Sequence, residues 1–69
     1  MIEATINGKK VTLEKEITVT DYLTQLRVDP RVVAVELDGE ILEKKDFDSK
    51  LIKNGSIVEI VRMVGGGLF

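Results

Sequence analysis

The chain has 69 residues, with 43% hydrophobic and 32% charged residues and a formal charge of −2. That is a globular balance for one domain, of a size that buries roughly 60% of its unfolded surface. It is not the composition of a disordered chain, and the mixed charges supply no basic stripe for a phosphate backbone, so nucleic acid is not an expected partner.

Cys, His and Trp are absent, and one Tyr and two Phe are the aromatics, so the core must come mainly from Val, Ile and Leu. Without Cys or His there is no disulfide, no zinc site of the usual ligands, no Cys nucleophile and no His base. No apolar run reaches the roughly 20 residues that span a bilayer. The strand pattern opens at Ile2 with no charged-then-apolar leader before it. The expectation is a cytoplasmic protein with no membrane partner.

Residues 2–6 alternate, which puts Ile2, Ala4 and Ile6 on one face of a strand. Asn7-Gly8 follows as a turn, since a type I′ hairpin needs φ > 0 at both central positions. It is read as a turn and given no function. A second strand over 9–14 returns with Val11 and Leu13 facing inward.

Thr18 is a predicted N-cap with Asp21 three residues on, after the pattern of a capping box. Val19, Tyr22, Leu23 and Leu26 then fall at helical spacing. Asp29-Pro30 is read as the stop, because the residue before Pro is driven out of the α region. Tyr22 is assigned to the core by its spacing.

Residues 32–37 form a predicted strand with Val33, Val35 and Leu37 buried, and Asp38-Gly39 turns the chain into a short return strand at Ile41-Leu42. The segment 43–53 is charge-rich, anchored by Phe47, Leu51 and Ile52, and reads as a surface connection with a short helical turn. Asn54-Gly55 is another turn signal. The run from Ile57 to Val64 is the longest strand signal, and its near-continuous apolar character predicts a central, largely buried strand.

The order β-β-α-β-β(short)-β predicts an α+β, ubiquitin-like β-grasp: one domain over 1–69, with a mixed sheet of four to five strands packed on one helix. The first and last strands lie side by side in parallel, which a helical crossover permits.

After this strand come Gly65-Gly66-Gly67 and then Leu68-Phe69. Three glycines do not continue a strand, because glycine loses the most backbone entropy on ordering and has no side chain to pack. Residues 65–69 are therefore expected to be a flexible tail. Such a tail is either a bland terminus or a backbone slim enough to enter a narrow channel in a partner. Composition alone does not choose between the two.

The stretch Asn54-Gly55-Ser56-Ile57-Val58-Glu59-Ile60-Val61-Arg62-Met63-Val64-Gly65-Gly66-Gly67 resembles the C-terminal signature of the thiamine sulfur-carrier family, ThiS. Ile6-Asn7-Gly8, Ile17-Thr18-Val19 and Val35-Glu36-Leu37-Asp38-Gly39-Glu40 also resemble that family, so the likeness covers nearly the whole chain.

The resemblance implies a carrier with no catalytic residue and no bound metal or cofactor. Gly67 would be the residue adenylated and converted to a thiocarboxylate. Gly65 and Gly66 would be its sterically small approach, and Met63 and Val64 the exposed strand end that partners grip. The implied partners are an E1-like adenylating enzyme that uses ATP, a sulfur donor such as a cysteine desulfurase, and thiazole synthase.

One departure stands out. In the family pattern the last glycine is the terminus, whereas here Leu68-Phe69 follow, so Gly67 is held in a peptide bond unless those two residues are removed or foreign to the natural chain. The alternatives are a molybdopterin-synthase small subunit or another sulfur-pathway carrier and, in a different class, a ubiquitin-fold interaction module that is never conjugated. An enzyme is the weakest reading, because Asp46/Asp48 and Glu14/Glu16 sit in stretches that look exposed, where nothing tunes a carboxyl group.

Overall fold

The computed structural model describes residues 1–63. β1 (Ile2–Ile6) and β2 (Lys9–Leu13) form the opening hairpin, paired antiparallel from Ile2↔Leu13 to Ile6↔Lys9. Its turn has Asn7 at φ 52° and Gly8 at φ 82°, the two left-handed residues that a type I′ turn demands. β3 (Ile17–Thr18) leads into α1 (Val19–Gln25). A 3₁₀ turn at Pro30–Val32 precedes β4 (Val33–Leu37) and β5 (Glu40–Ile41). A second 3₁₀ turn at Lys44–Asp46 precedes β6 (Leu51–Ile52) and β7 (Ile57–Arg62).

Five strands make one mixed sheet in the order β2-β1-β7-β4-β5. β1 and β7 run parallel, and β7 is antiparallel to β4. This is the β-grasp arrangement expected from the element order, with the first and last strands adjacent at the centre. A separate two-stranded sheet pairs β3 with β6. It was missed because two-residue strands carry no readable alternation.

The core lies between the large sheet and α1. Ala4, Ile6, Val33, Val35 and Val58 enter it from the sheet, and Val19, Tyr22 and Leu23 from the helix. Phe47 and Ile52 close it from the 43–53 segment. That segment is therefore more than a surface connection. The first helical N–H groups explain why: Val19 N–H donates to the Lys50 carbonyl (3.0 Å) and Thr20 N–H to the Phe47 carbonyl (3.0 Å), so the segment caps the helix that it packs against.

Several expectations about boundaries are corrected. Thr18 is the N-cap as expected, its Oγ1 accepting from Asp21 N–H at 3.0 Å. The helix, however, ends at Gln25, before Asp29-Pro30. Arg27 takes φ 60°, its N–H donates to the Thr24 carbonyl (3.0 Å), and Val28 N–H donates to the Leu23 carbonyl (2.9 Å). These are the two bonds of a Schellman ending, with arginine where glycine is usual. Leu26 consequently leaves the apolar stripe and is 48% exposed. Asp29-Pro30 instead opens the 3₁₀ turn, Asp29 capping Arg31 N–H.

In the return strand it is Glu40–Ile41 that pairs, while Leu42 turns inward and Ile41 outward. The largest correction concerns β7. It is central, yet only Val58 is fully buried and Ile60 half-buried, while Ile57, Glu59 and Val61 are exposed. The helix is seven residues long and covers one face of the sheet. An apolar run on the strand's other face gains no cover from hydrophobicity alone.

Candidate functional site at the end of the last strand

β7 is the strand that precedes the glycine run in the sequence. On one side β4 pairs with it along its length, from Leu37↔Val58 to Val33↔Arg62. The Met63 N–H then donates to the Val32 carbonyl at 2.8 Å, carrying the ladder one step beyond the strand. On the other side β1 pairs only at Thr5↔Ile57 and Ile6↔Val58, because it turns away at Asn7. β7 thus runs on past the end of its parallel neighbour.

Turn side chains continue the work that the strands leave unfinished. Asn7 Oδ1 accepts from Ile60 N–H at 2.7 Å, extending β1's hold on β7 beyond the strand pairing. Asp38 Oδ1 accepts from Ile57 N–H at 2.8 Å, and Asn54 Oδ1 accepts from Glu3 N–H at 2.9 Å. Each of these residues begins an Asx-Gly turn, whose short side chain reaches nearby backbone. Asn7-Gly8 is therefore a turn that also clamps the last strand. The Asx-Gly dipeptide was the signal for the turns, and nothing in it named the distant amide that each side chain would meet.

Of the residues assigned to the tail and grip, Met63 is described: it is 43% exposed and follows Val61, which is 58% exposed. Val64, Gly65, Gly66 and Gly67 lie outside the described residues, as do Leu68 and Phe69 and the expected flexible tail.

Charge near the strand end is organised by Arg31, adjacent to Val32. Its Nε and Nη2 donate to the Asp29 carboxylate, at 2.8 Å for the shortest contact. Those hydrogen bonds, and the positive charge itself, lower the Asp29 pKa from 3.8 to about 2. Lys44 Nζ donates to the Val33 carbonyl at 3.1 Å and so is engaged in structure.

Burial in the core pushes the Tyr22 hydroxyl up from its ordinary value. Among the described residues no three His, Cys, Asp or Glu side chains gather as a metal site, and every buried side-chain polar atom has a partner. No helix in the described residues is long and apolar enough to cross a membrane.

A protein-family model described as the ThiS family matches residues 2–67. The chain belongs to the ThiS family. The sulfur carrier protein ThiS of Bacillus subtilis (strain 168) is 33% identical over 63 residues, spanning 90% of this chain and 96% of that protein. A thiazole synthase of Paramagnetospirillum magneticum is 39% identical over 62 residues, and there the chain spans 90% of its own length but only 19% of the relative's. The crystal structure of thiamine biosynthesis protein ThiS from Geobacter metallireducens superposes with a TM-score of 0.83 at 39% identity, covering 96% of this chain and 100% of that one. By family, then, the chain is a ubiquitin-like sulfur carrier of thiamine biosynthesis and not a catalyst.

Proposed function

We propose that the chain carries sulfur on the carboxyl group of Gly67. The observation that carries this reading is the extent of the family match, which runs through residue 67 and leaves Leu68 and Phe69 beyond it. The strand geometry is consistent with it: β7 is paired to β4 as far as Arg62, and the Met63 N–H still donates to the Val32 carbonyl, so the chain is held by the sheet up to the last described residue.

The chemistry follows from the group concerned. A free α-carboxyl group has a pKa near 3.5, so at neutral pH it is an anion and a poor electrophile. An E1-like enzyme transfers AMP from ATP to that carboxylate and releases pyrophosphate. A persulfide on a donor protein such as a cysteine desulfurase then attacks the acyl carbon, forming C–S as the acyl C–O bond to AMP breaks. A thiol reductant cleaves the S–S bond of the resulting acyl disulfide to leave the thiocarboxylate. The chain has no Cys, so the sulfur must arrive from outside.

The thiocarboxylate is next delivered to a thiazole precursor on thiazole synthase, which regenerates the carboxylate. The Paramagnetospirillum relative supports that partner, since it is named a thiazole synthase and matches this chain over about a fifth of its length. Glycines at 65–67 suit passage through narrow channels because they carry no Cβ. Such a cycle belongs to the cytoplasm, where ATP is at hand.

Residues Leu68 and Phe69 make the proposal sharp. With them in place Gly67 has no free carboxyl group, so the two residues must be removed before activation. The test compares the full chain with one ending at Gly67, each incubated with the adenylating enzyme, ATP and the sulfur donor and then weighed intact. Only the chain ending at Gly67 is expected to gain the mass of sulfur replacing oxygen. Equal modification of both would put the sulfur of the full chain on the carboxyl group of Phe69 and so overturn Gly67 as the required residue, as would modification of neither.

A further inference from the structure

β1 stops short on its side of β7, and a single side chain makes the next rung of the ladder. A residue in a parallel pair donates its N–H to a carbonyl of the neighbouring strand and accepts, at its own carbonyl, from an N–H two residues further on. Asn7 makes the first of these bonds with its backbone, N–H to the Val58 carbonyl at 2.8 Å. At φ 52° it has already left extended geometry for the turn. The second bond therefore comes from the side chain, whose Oδ1 accepts from the Ile60 N–H at 2.7 Å. The two bonds flank Glu59 and continue the series Thr5↔Ile57, Ile6↔Val58 by one step.

The turn alone does not require asparagine at position 7. Glycine takes a positive φ without steric cost and suits the same turn position. What glycine lacks is the acceptor for Ile60. A second Asx-Gly turn provides the comparison on the same strand: Asp38, at φ 51°, accepts from the Ile57 N–H at 2.8 Å. Asp38 thus fastens the first residue of β7, and Asn7 fastens it three residues before Met63. Were the Asn7 bond absent, β4 alone would pair with β7 beyond Val58.

We propose that Asn7 is a positioning residue for the carrier reaction, fixing where and in what direction the end of β7 meets the adenylating enzyme. The inference rests on the sulfur-carrier reading for Gly67 as the reacting residue. Four residues lead from Met63 to Gly67, a reach of at most about 14 Å. So short a reach leaves little slack, and the placement of the strand end decides whether the carboxyl group arrives beside ATP. A strand end fastened from one side opens locally more often than one fastened from both. Lost orientation of a reacting group appears in turnover, whereas the folded body's own contacts with the enzyme set its binding.

The test is ATP–pyrophosphate exchange by the adenylating enzyme at varied concentrations of the chain ending at Gly67, which keeps every residue of the described fold. Asn7→Gly spares the turn and deletes the acceptor, and is expected to lower kcat about threefold or more at unchanged KM. Asn7→Asp keeps both an oxygen acceptor and a residue that the turn accepts, and should restore kcat. Asp38→Gly unfastens the other end of the same strand. It should lower the melting temperature as Asn7→Gly does, yet leave kcat at the parent value. A parental kcat in Asn7→Gly, a change in KM alone, an equal loss in Asp38→Gly or no recovery in Asn7→Asp would each overturn the positioning role. All four leave the sulfur-carrier reading standing, because the parent chain still supports exchange. No exchange with the parent chain would overturn Gly67 as the activated residue, and the positioning role with it.

Discussion

Val58 and Val61 are three residues apart on one strand, yet the first is fully buried and the second is 58% exposed. The same contrast holds for the whole sheet. Ala4, Ile6, Val33 and Val35 face α1 and make the core, while Ile41, Ile57 and Val61 face away from it. Both faces are built from similar aliphatic side chains, so residue type does not separate stability from recognition. What separates them is whether another element lies on top. On the covered face an aliphatic side chain contributes folding energy, and on the open face it is available to a partner.

The sharpest way to break this comparison is at the covered face. Leu23→Ala deletes a fully buried side chain at the helix–sheet contact, and such truncations cost about 2–5 kcal/mol. A domain of this size rarely has more than about 3–5 kcal/mol from its core. Denaturant unfolding should show most or all of the stability gone, with sulfur loading lost alongside.

A matched pair sharpens the point. Val58→Ala should cost about 2 kcal/mol, from two buried methyl groups and the cavity that they leave. Val61→Ala should stay within about 0.5 kcal/mol, as surface changes do. Equal costs in urea titrations would mean that the two faces are not distinct.

The Asn7 clamp tests whether the end of β7 is held independently of either face. Asn7→Ala removes the acceptor for Ile60 N–H and puts alanine at φ 52°. Each effect is worth about 1 kcal/mol, for a total of about 1–2 kcal/mol. Hydrogen exchange at the Ile60 amide should quicken more than exchange at Val58.

The smallest effect lies at the exposed Asp29–Arg31 fork beside the strand end. The folded Asp29 carboxyl has its pKa lowered from 3.8 to about 2, so between those values the unfolded chain binds more protons than the folded one. Its stabilisation is therefore present above about pH 4 and lost as the pH falls toward 2. Melting curves of the parent and Asp29→Asn should converge across that window. A difference that persists below it would point to a contribution other than ionisation.

Much of this molecule was legible as local pattern. Alternation over 2–6 and 32–37, the helical stripe at Val19, Tyr22 and Leu23, and the Asx-Gly turns are read within a few residues of chain, where backbone sterics and side-chain period act directly. The helix ending escaped notice because arginine occupies the left-handed position at 27, where glycine would have announced it. β3 and β6 escaped because each is two residues long and is defined by its partner. The motif from Asn54 to Gly67 pointed to the family by itself, while the clamps of Asn7, Asp38 and Asn54 depend on residues distant in sequence.

By itself, the amino-acid sequence determined the order of elements, the turn positions and the glycine run that ends the family motif, because each depends on interactions between near neighbours along the chain. Only the tertiary structure decided which face of β7 is covered. A single helix of seven residues can lie on one side of a five-stranded sheet, and the apolar residues on the other side remain in water whatever their hydrophobicity.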